Sequence, residues 1–345
     1  MSESFLNKAR SLESFIIKKS KNSDSTKRNY QCAFRHFENR FLREQYQERS
    51  IHEILDELRV HSKPQEALED LIQEFIDWSE SQDIPQKSIQ NRISIILGYL
   101  KYQRIPFDKD EFYQNIEVKK SIREKLKPIT LEQFRTILDH TATFEKRVFY
   151  MLISSSGLRA REALGLRIKD VDTTYKRYLI HVSKEFAKGH KSRDTFCSKE
   201  VMSLLDQLMK GKQKEDFIFP HNEKRMDYAV VNEDIIFSRC KKRSNIESEE
   251  HEITIHGLRA FFISAFEKNS SSFGHEFAGH SKYMDTYHRF TIEEKIDEYI
   301  KTEPYLSIYD KHEPLEELDE IKQKLSILDK LSKNPKFQKL LEELD

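Results

Sequence analysis

The chain reads as mainly helical with a small antiparallel β-hairpin or sheet, split into an all-helical amino-terminal domain and a mixed α+β carboxy-terminal domain. Three observations lead there. Over residues 11–101 apolar side chains recur at intervals of three and four, the period of helices buried on one face. Farther on, Tyr178-Leu179-Ile180-His181-Val182 and Asp194-Thr195-Phe196-Cys197 read as two strands flanking a Lys/Gly-rich loop. Between these regions the periodicity weakens into a basic, polar stretch that ends at Pro128, and 345 residues with 37% apolar content suffice for two packed cores.

The element order follows from local signals. Tyr30, Phe34, Phe37 and Phe41 fall on one helical face, with Thr26 as the expected cap. A second helix is expected over 51–58. A third, over 67–79, carries Leu68, Leu71, Ile72, Phe75 and Trp78 on one stripe, and a fourth runs from near Gln86 to Tyr102. That last helix turns Ile89, Ile93, Ile96, Leu97 and Leu100 inward and Lys87, Gln90, Asn91 and Arg92 outward. Residues 1–105 therefore form the helical domain and 106–128 a linker.

After Pro128, Thr130-Leu131-Glu132-Gln133 has the form of a capping box for a helix to about His140. A buried helix is expected over 144–154, stopped at Gly157, then another from Ala160 to Leu164. Ser198 is expected to cap a helix through Met209, and helices follow over 229–243, 255–268 and 292–299, with a loop closing at Gly279-His280-Ser281. This second domain is placed at 129–310. The tail, 311–345, keeps Leu315, Leu318, Ile321, Leu325, Leu328 and Leu331 at helical spacing among many charges, so its seam is expected to dock on its own domain or on another copy.

Composition removes several classes. Formal charge is zero and the isoelectric point near 7.2, so overall charge gives no attraction for nucleic acid. Local charge is uneven: residues 1–50 hold 11 Lys/Arg against 6 Asp/Glu, whereas 53–83 is acidic. Cys32, Cys197 and Cys240 have neither the pairing of a disulfide scaffold nor the spacing of a zinc site. No basic-then-apolar leader opens the sequence and no apolar run nears the ~20 residues of a membrane helix, so a soluble, cytoplasmic protein is expected.

The residues with chemical potential cluster late in the chain. Gly157-Leu158-Arg159-Ala160-Arg161-Glu162 and His256-Gly257-Leu258-Arg259 each set an arginine at the start of an apolar helix, where backbone donors would add to an anion site. A guanidinium binds two phosphate oxygens and keeps its charge, so Arg159 and Arg259 would make a phosphate clamp. Lys188, in the loop Lys188-Gly189-His190-Lys191-Ser192-Arg193, could protonate a leaving alkoxide, with Lys184 and Arg193 as alternatives. His256 and His280 offer donors or proton acceptors. Tyr287 is the nucleophile candidate, with Tyr283, Tyr299, Tyr305 and Tyr309 as competitors; a phenol with a pKa near ~10 needs cations and a base beside it.

Taken in order, Gly157-Leu158-Arg159-x-x-Glu162, the Lys188 loop between strands, His256-x-x-Arg259, then Gly279-His280 and a following tyrosine resemble the tyrosine recombinases, the phage-integrase type of site-specific recombinase. The motifs cover about residues 128–300, and the helical module before them is similar to that family's SAM-like core-binding domain in layout only. The string Met284-Asp285-Thr286-Tyr287-His288-Arg289 looks more like archaeal members. The resemblance implies roles: Arg159 and Arg259 bind phosphate, Lys188 is the general acid, His256 and His280 assist, Glu162 braces the first arginine, and Tyr287 attacks to leave a 3′-phosphotyrosyl link and a free 5′ hydroxyl. It implies double-stranded DNA and self-association, as a tetramer on DNA, as partners, and neither ATP nor metal as cofactor. Lys87, Gln90, Asn91, Arg92, Lys191 and Arg193 are the expected DNA contacts. Two other readings stay open: a type IB topoisomerase-like relaxing enzyme, and a DNA-binding protein on the same scaffold that no longer cleaves.

Overall fold

The computed structural model describes residues 10–21, 23–120, 129–187, 191–246, 253–280 and 290–309. The chain divides into two units, Met1–Lys125 and Leu126–Asp345. No helix among the described residues is long and apolar enough to cross a membrane.

The first unit is wholly helical where described: α1 (Leu12–Lys19), α2 (Asp24–His36), a π-helical turn (Phe37–Leu42), α3 (Arg43–Gln45), α4 (Ile51–Val60), α5 (Pro64–Ser81), α6 (Gln86–Tyr102) and α7 (Lys109–Asn115). Phe37, Phe41, Phe75 and Trp78 pack ring against ring, and Phe15, Phe34 and Tyr99 make a second aromatic group in the same core. Each buried phenylalanine contributes about 2–3 kcal/mol by leaving water. The wider π turn brings His36, Phe37, Phe41 and Leu42 all inward, which a regular α turn would not do.

Several expectations change here. The cap of α2 is Ser23, whose Oγ accepts from the Thr26 N–H at 3.1 Å, so Thr26 is a first-turn residue. The module holds more than four helices, and α7 lies within the stretch expected as linker. Phe112 and Ile116 are buried in the first core, a pull that a weak periodicity could not reveal.

The second unit is built from α8 (Leu131–Asp139), α9 (Phe144–Ser156), α10 (Ala160–Leu164), β1 (Val171–Asp172), β2 (Leu179–Val182), β3 (Arg193–Phe196), α11 (Lys199–Met209), α12 (Met226–Arg243), α13 (Ile255–Glu267), α14 (Ser271–Ala278) and α15 (Ile292–Thr302). The capping box at Thr130 and Gln133 is present. The sheet has three antiparallel strands in the order β1-β2-β3, with Val171 opposite Ile180 and Leu179 opposite Phe196. Helix α9 is buried from Val148 to Ser156, and its three serines meet the cost by donating to carbonyls of their own helix: Ser154 to Met151, Ser155 and Ser156 to Leu152.

Two local expectations fail in this unit, and one short strand was not anticipated. The loop expected before Gly279 contains α14, because Phe273 and Phe277, one turn apart, are both buried beside Phe266. Strand β1 has two residues, too short to carry a period. Ser198 occupies the cap position of α11, but its Oγ is buried without a protein partner; Glu303 accepts the Lys199 N–H instead. The tail 311–345 lies outside the described residues.

Candidate active site

Helix α9 ends at Gly157, whose φ of +65° suits a residue without a side chain. The turn buries Leu158 and delivers Arg159 as the cap of α10. Glu162, three residues on, accepts the Arg159 backbone N–H at 2.8 Å and its Nη1 at 2.7 Å. Arg193, from the start of β3, donates Nη1 and Nη2 to the two oxygens of the same carboxylate and Nε to the Phe277 carbonyl at 2.8 Å. Burial raises the Glu162 pKa, but Arg193 and Arg159 outweigh it, and the carboxyl sits below its ordinary range.

Arg259 reaches the same place from α13. It lies one turn inside that helix, not at its mouth as expected; the first-turn donor of Gly257 is satisfied by Thr254. The residue is 2% exposed. Its Nη1 donates to the carbonyl of Gly157, two residues before Arg159, and its Nη2 is buried without a protein partner. Burial first, then the charge of Arg159, lowers its pKa to about 9, opposed by Glu162. At neutral pH it therefore still carries its charge, and three guanidiniums face one carboxylate. The surplus is positive, and the unmet donor suits an anion.

The histidines border this cluster. His256 is exposed on the first turn of α13, near Asp234 of α12, whose carboxyl is raised by burial and lowered by that histidine. His280 follows Gly279, the left-handed end of α14, and burial, Arg259, His275 and Arg159 depress it to about 4. Its Nδ1 is 2.9 Å from Nδ1 of His275, whose Nε2 is 3.0 Å from Glu267.

Arg159, Glu162, Arg259, His256 and His280 thus converge, although they come from distant segments. Lys188 and Tyr287 lie outside the described residues. Lys191 is exposed, as is Lys184. Arg193, expected at a DNA surface, is turned inward with three nitrogens engaged, because Glu162 needs a second cation at full burial. Of the competing tyrosines, Tyr299 is fully buried and donates to the Ser155 carbonyl at 2.6 Å, Tyr305 lies under Lys268, and Tyr309 meets Asp139. His275 and Glu267 were missed. Their one signal was a histidine five positions before His280, which has meaning only once α14 ends between them.

In the first unit, Lys87, Gln90 and Asn91 line a shallow depression of about 410 Å³ with Ser88 and Ser94. Gln90 donates to the Lys119 carbonyl and Asn91 to Asn29. Arg92 is not outward: it is half-buried beside Cys32 and Arg40, with Nη1 lacking a protein partner.

A mostly helical chain with a small three-stranded antiparallel sheet and a buried arginine cluster now stands beside known proteins. Residues 127–292 match the model of the phage integrase family. Transposase A from transposon Tn554 of Staphylococcus aureus is 25% identical over 158 residues, 42% of this chain and 43% of that one. Tyrosine recombinase XerA of Saccharolobus solfataricus is 29% identical over 97 residues, 28% of this chain and 32% of that one. The chain thus spans less than half the length of these relatives. Among solved structures, a lambda integrase tetramer bound to a Holliday junction aligns with a TM-score of 0.56 at 15% identity, covering 83% of this chain and 82% of that one. A post-cleavage complex of XerH site-specific recombinase with palindromic difH aligns at 0.51 and 19%, with the same coverage. These likenesses establish the fold.

Proposed function

We propose that this chain is a tyrosine recombinase: a site-specific DNA recombinase or integrase that cuts and rejoins DNA through a 3′-phosphotyrosyl intermediate. The observation that carries the reading is the meeting of Arg159 and Arg259, with the Arg259 Nη2 buried and unpaired in protein. Two guanidiniums from separate helices suit the two non-bridging oxygens of one phosphodiester, which gain charge as the nucleophile approaches.

In this mechanism Tyr287 Oη attacks phosphorus in line, the P–O5′ bond breaks, and the tyrosine–phosphorus bond forms. His256 takes the phenolic proton. Lys188 gives a proton to the departing 5′ oxygen. His280 donates to a phosphate oxygen, and Glu162 holds Arg159 in place. The phosphotyrosyl bond conserves the energy of the original linkage, so the 5′ hydroxyl of another strand can reverse the step without an energy source. Lys87, Gln90 and Asn91, with Lys191, are the proposed backbone contacts, and the DNA-bound lambda integrase tetramer supports double-stranded DNA and self-association as partners here. The XerA match supports kinship with archaeal members.

The test incubates the protein with DNA from its own genomic neighbourhood, traps covalent adducts and sequences their ends. Adducts at one site, lost in Tyr287→Phe with DNA binding kept, support the recombinase. Relaxation of a supercoiled plasmid that lacks the site would favour the topoisomerase-like alternative, and no adduct with the unsubstituted protein would favour a binder.

A further inference from the structure

Helix α14 stops between two histidines. Gly279 turns left-handed, and the His280 N–H donates to the His275 carbonyl at 2.9 Å, which folds the second ring back toward the first. Their ring centroids are 5.1 Å apart and their Nδ1 atoms 2.9 Å apart. Two ring nitrogens at that distance share one proton.

The far side of His275 decides where that proton belongs. Glu267 Oε1 stands 3.0 Å from His275 Nε2, and an ionised carboxylate only accepts, so Nε2 carries a hydrogen. Burial and Arg259 depress His280 to about 4 and so keep it from holding hydrogens on both nitrogens, which leaves two arrangements. With the shared proton on His280, His280 would present a bare Nε2, an acceptor, beside a pocket built for an anion. With the proton on His275, that ring is an imidazolium held against Glu267, and His280 is neutral with its hydrogen on Nε2. The second arrangement satisfies every contact and supplies a donor.

We infer that His275, backed by Glu267, is a positioning residue that sets the tautomer of His280, so that His280 offers a neutral Nε2–H to the phosphate held by Arg159 and Arg259. The inference deepens the recombinase reading and rests on it for the identity of the anion. Neutrality has a physical reason. Arg159, Arg193 and Arg259 already crowd the pocket, and a fourth cation there would repel them whenever the site is empty. The charge on His275 differs in being paired with the Glu267 carboxylate at 3.0 Å, and it stands with burial and Arg259 among the causes that keep His280 from taking a second proton.

The test reads the ring nitrogens directly, by long-range ¹⁵N–¹H correlation on the full chain labelled at histidine, at neutral pH and without DNA. Spectra of His280→Gln and His275→Gln assign the two rings. The expected pattern for His280 is a protonated Nε2 and a bare Nδ1. His275→Gln, whose amide can donate to Nδ1, keeps that pattern, and His275→Leu loses it. A bare Nε2 on His280 in the unsubstituted chain, or an unchanged tautomer in His275→Leu, overturns the inference. Should His275→Leu not fold, a bare Nε2 in His275→Gln does the same. On DNA from the genomic neighbourhood, adduct formation should slow by about 10- to 100-fold in His275→Leu with affinity little changed, and recover in His275→Gln. Because the tautomer is read without DNA, a chain that never forms an adduct sinks the recombinase reading while the spectra still decide the role of His275.

Discussion

Arg193 grips the Glu162 carboxylate with both terminal nitrogens, Nη1 on Oε1 at 2.9 Å and Nη2 on Oε2 at 2.6 Å. Arg159 shares that carboxylate, so one buried anion holds two cations from different elements. Removing it would leave guanidiniums facing one another at low dielectric. Glu162→Gln should therefore cost about 3 kcal/mol of stability at neutral pH, read from urea unfolding. The Glu162 pKa is lowered in the fold from its ordinary 4.5, so its contribution is complete above that value and is lost as pH falls through the folded pKa. The gap between parent and variant should close at strongly acid pH; a constant gap would contradict the pairing.

His36 and His280 set a second acid dependence, of known sign. His36 is depressed to about 4 by burial, then by Arg92 and Arg40, and His280 to about 4 by burial and Arg259. Below the ordinary value of 6.5 the unfolded histidines take up protons that the native ones refuse until about pH 4. Stability should fall as pH drops through that window. His36→Phe, which keeps a ring against Phe75 and Trp78 and deletes the unpartnered Nε2, should flatten part of that fall in urea midpoints measured from pH 7 to 4.

Gly157→Ala tests the turn that aims Arg159. Its φ is +65°, and a Cβ there would stand 2.5 Å from the Phe262 ring. Strain and overlap together should cost about 2–4 kcal/mol. Pairing the change with Phe262→Leu should recover only the overlap part, so a full recovery by thermal unfolding would show that backbone strain is absent.

Surface and half-buried cations should separate by salt. Lys87→Ala should lower the slope of log affinity against log salt for duplex DNA by about one, with unfolding unchanged. Arg92→Ala should chiefly lower stability. Equal salt slopes for Lys87→Ala and parent would remove Lys87 from the DNA surface.

Lys188→Ala should slow cleavage of an ordinary phosphodiester, while a substrate with a 5′ bridging sulfur, which departs without an acid, should be cut at close to the parent rate. Failure of the sulfur substrate to recover the rate would exclude Lys188 as the acid.

Much of the secondary structure was legible because the signals are local. The Thr130 capping box, the glycine stop at 157 and the five residues of α10 each depend on neighbours within a turn or two. What was misread depends on partners far along the chain. Helix α7 forms because Phe112 finds the first core, and α14 because Phe273 and Phe277 find Phe266.

The candidate site divides the same way. The chain itself offers Arg159, His256, Arg259 and His280 as candidates, since residue type sets what each side chain can donate or accept, and the order of motifs, through its resemblance to the tyrosine recombinases, implies Glu162 beside them. Tertiary packing alone decided which donors face inward and which are already taken: Arg193 and Arg92 read as surface cations, but Arg193 is turned in against Glu162 and Arg92 is half-buried beside Cys32. The reason is that charge and hydrogen-bonding capacity belong to a residue, whereas desolvation and pairing belong to its surroundings, and those exist only after distant segments have met.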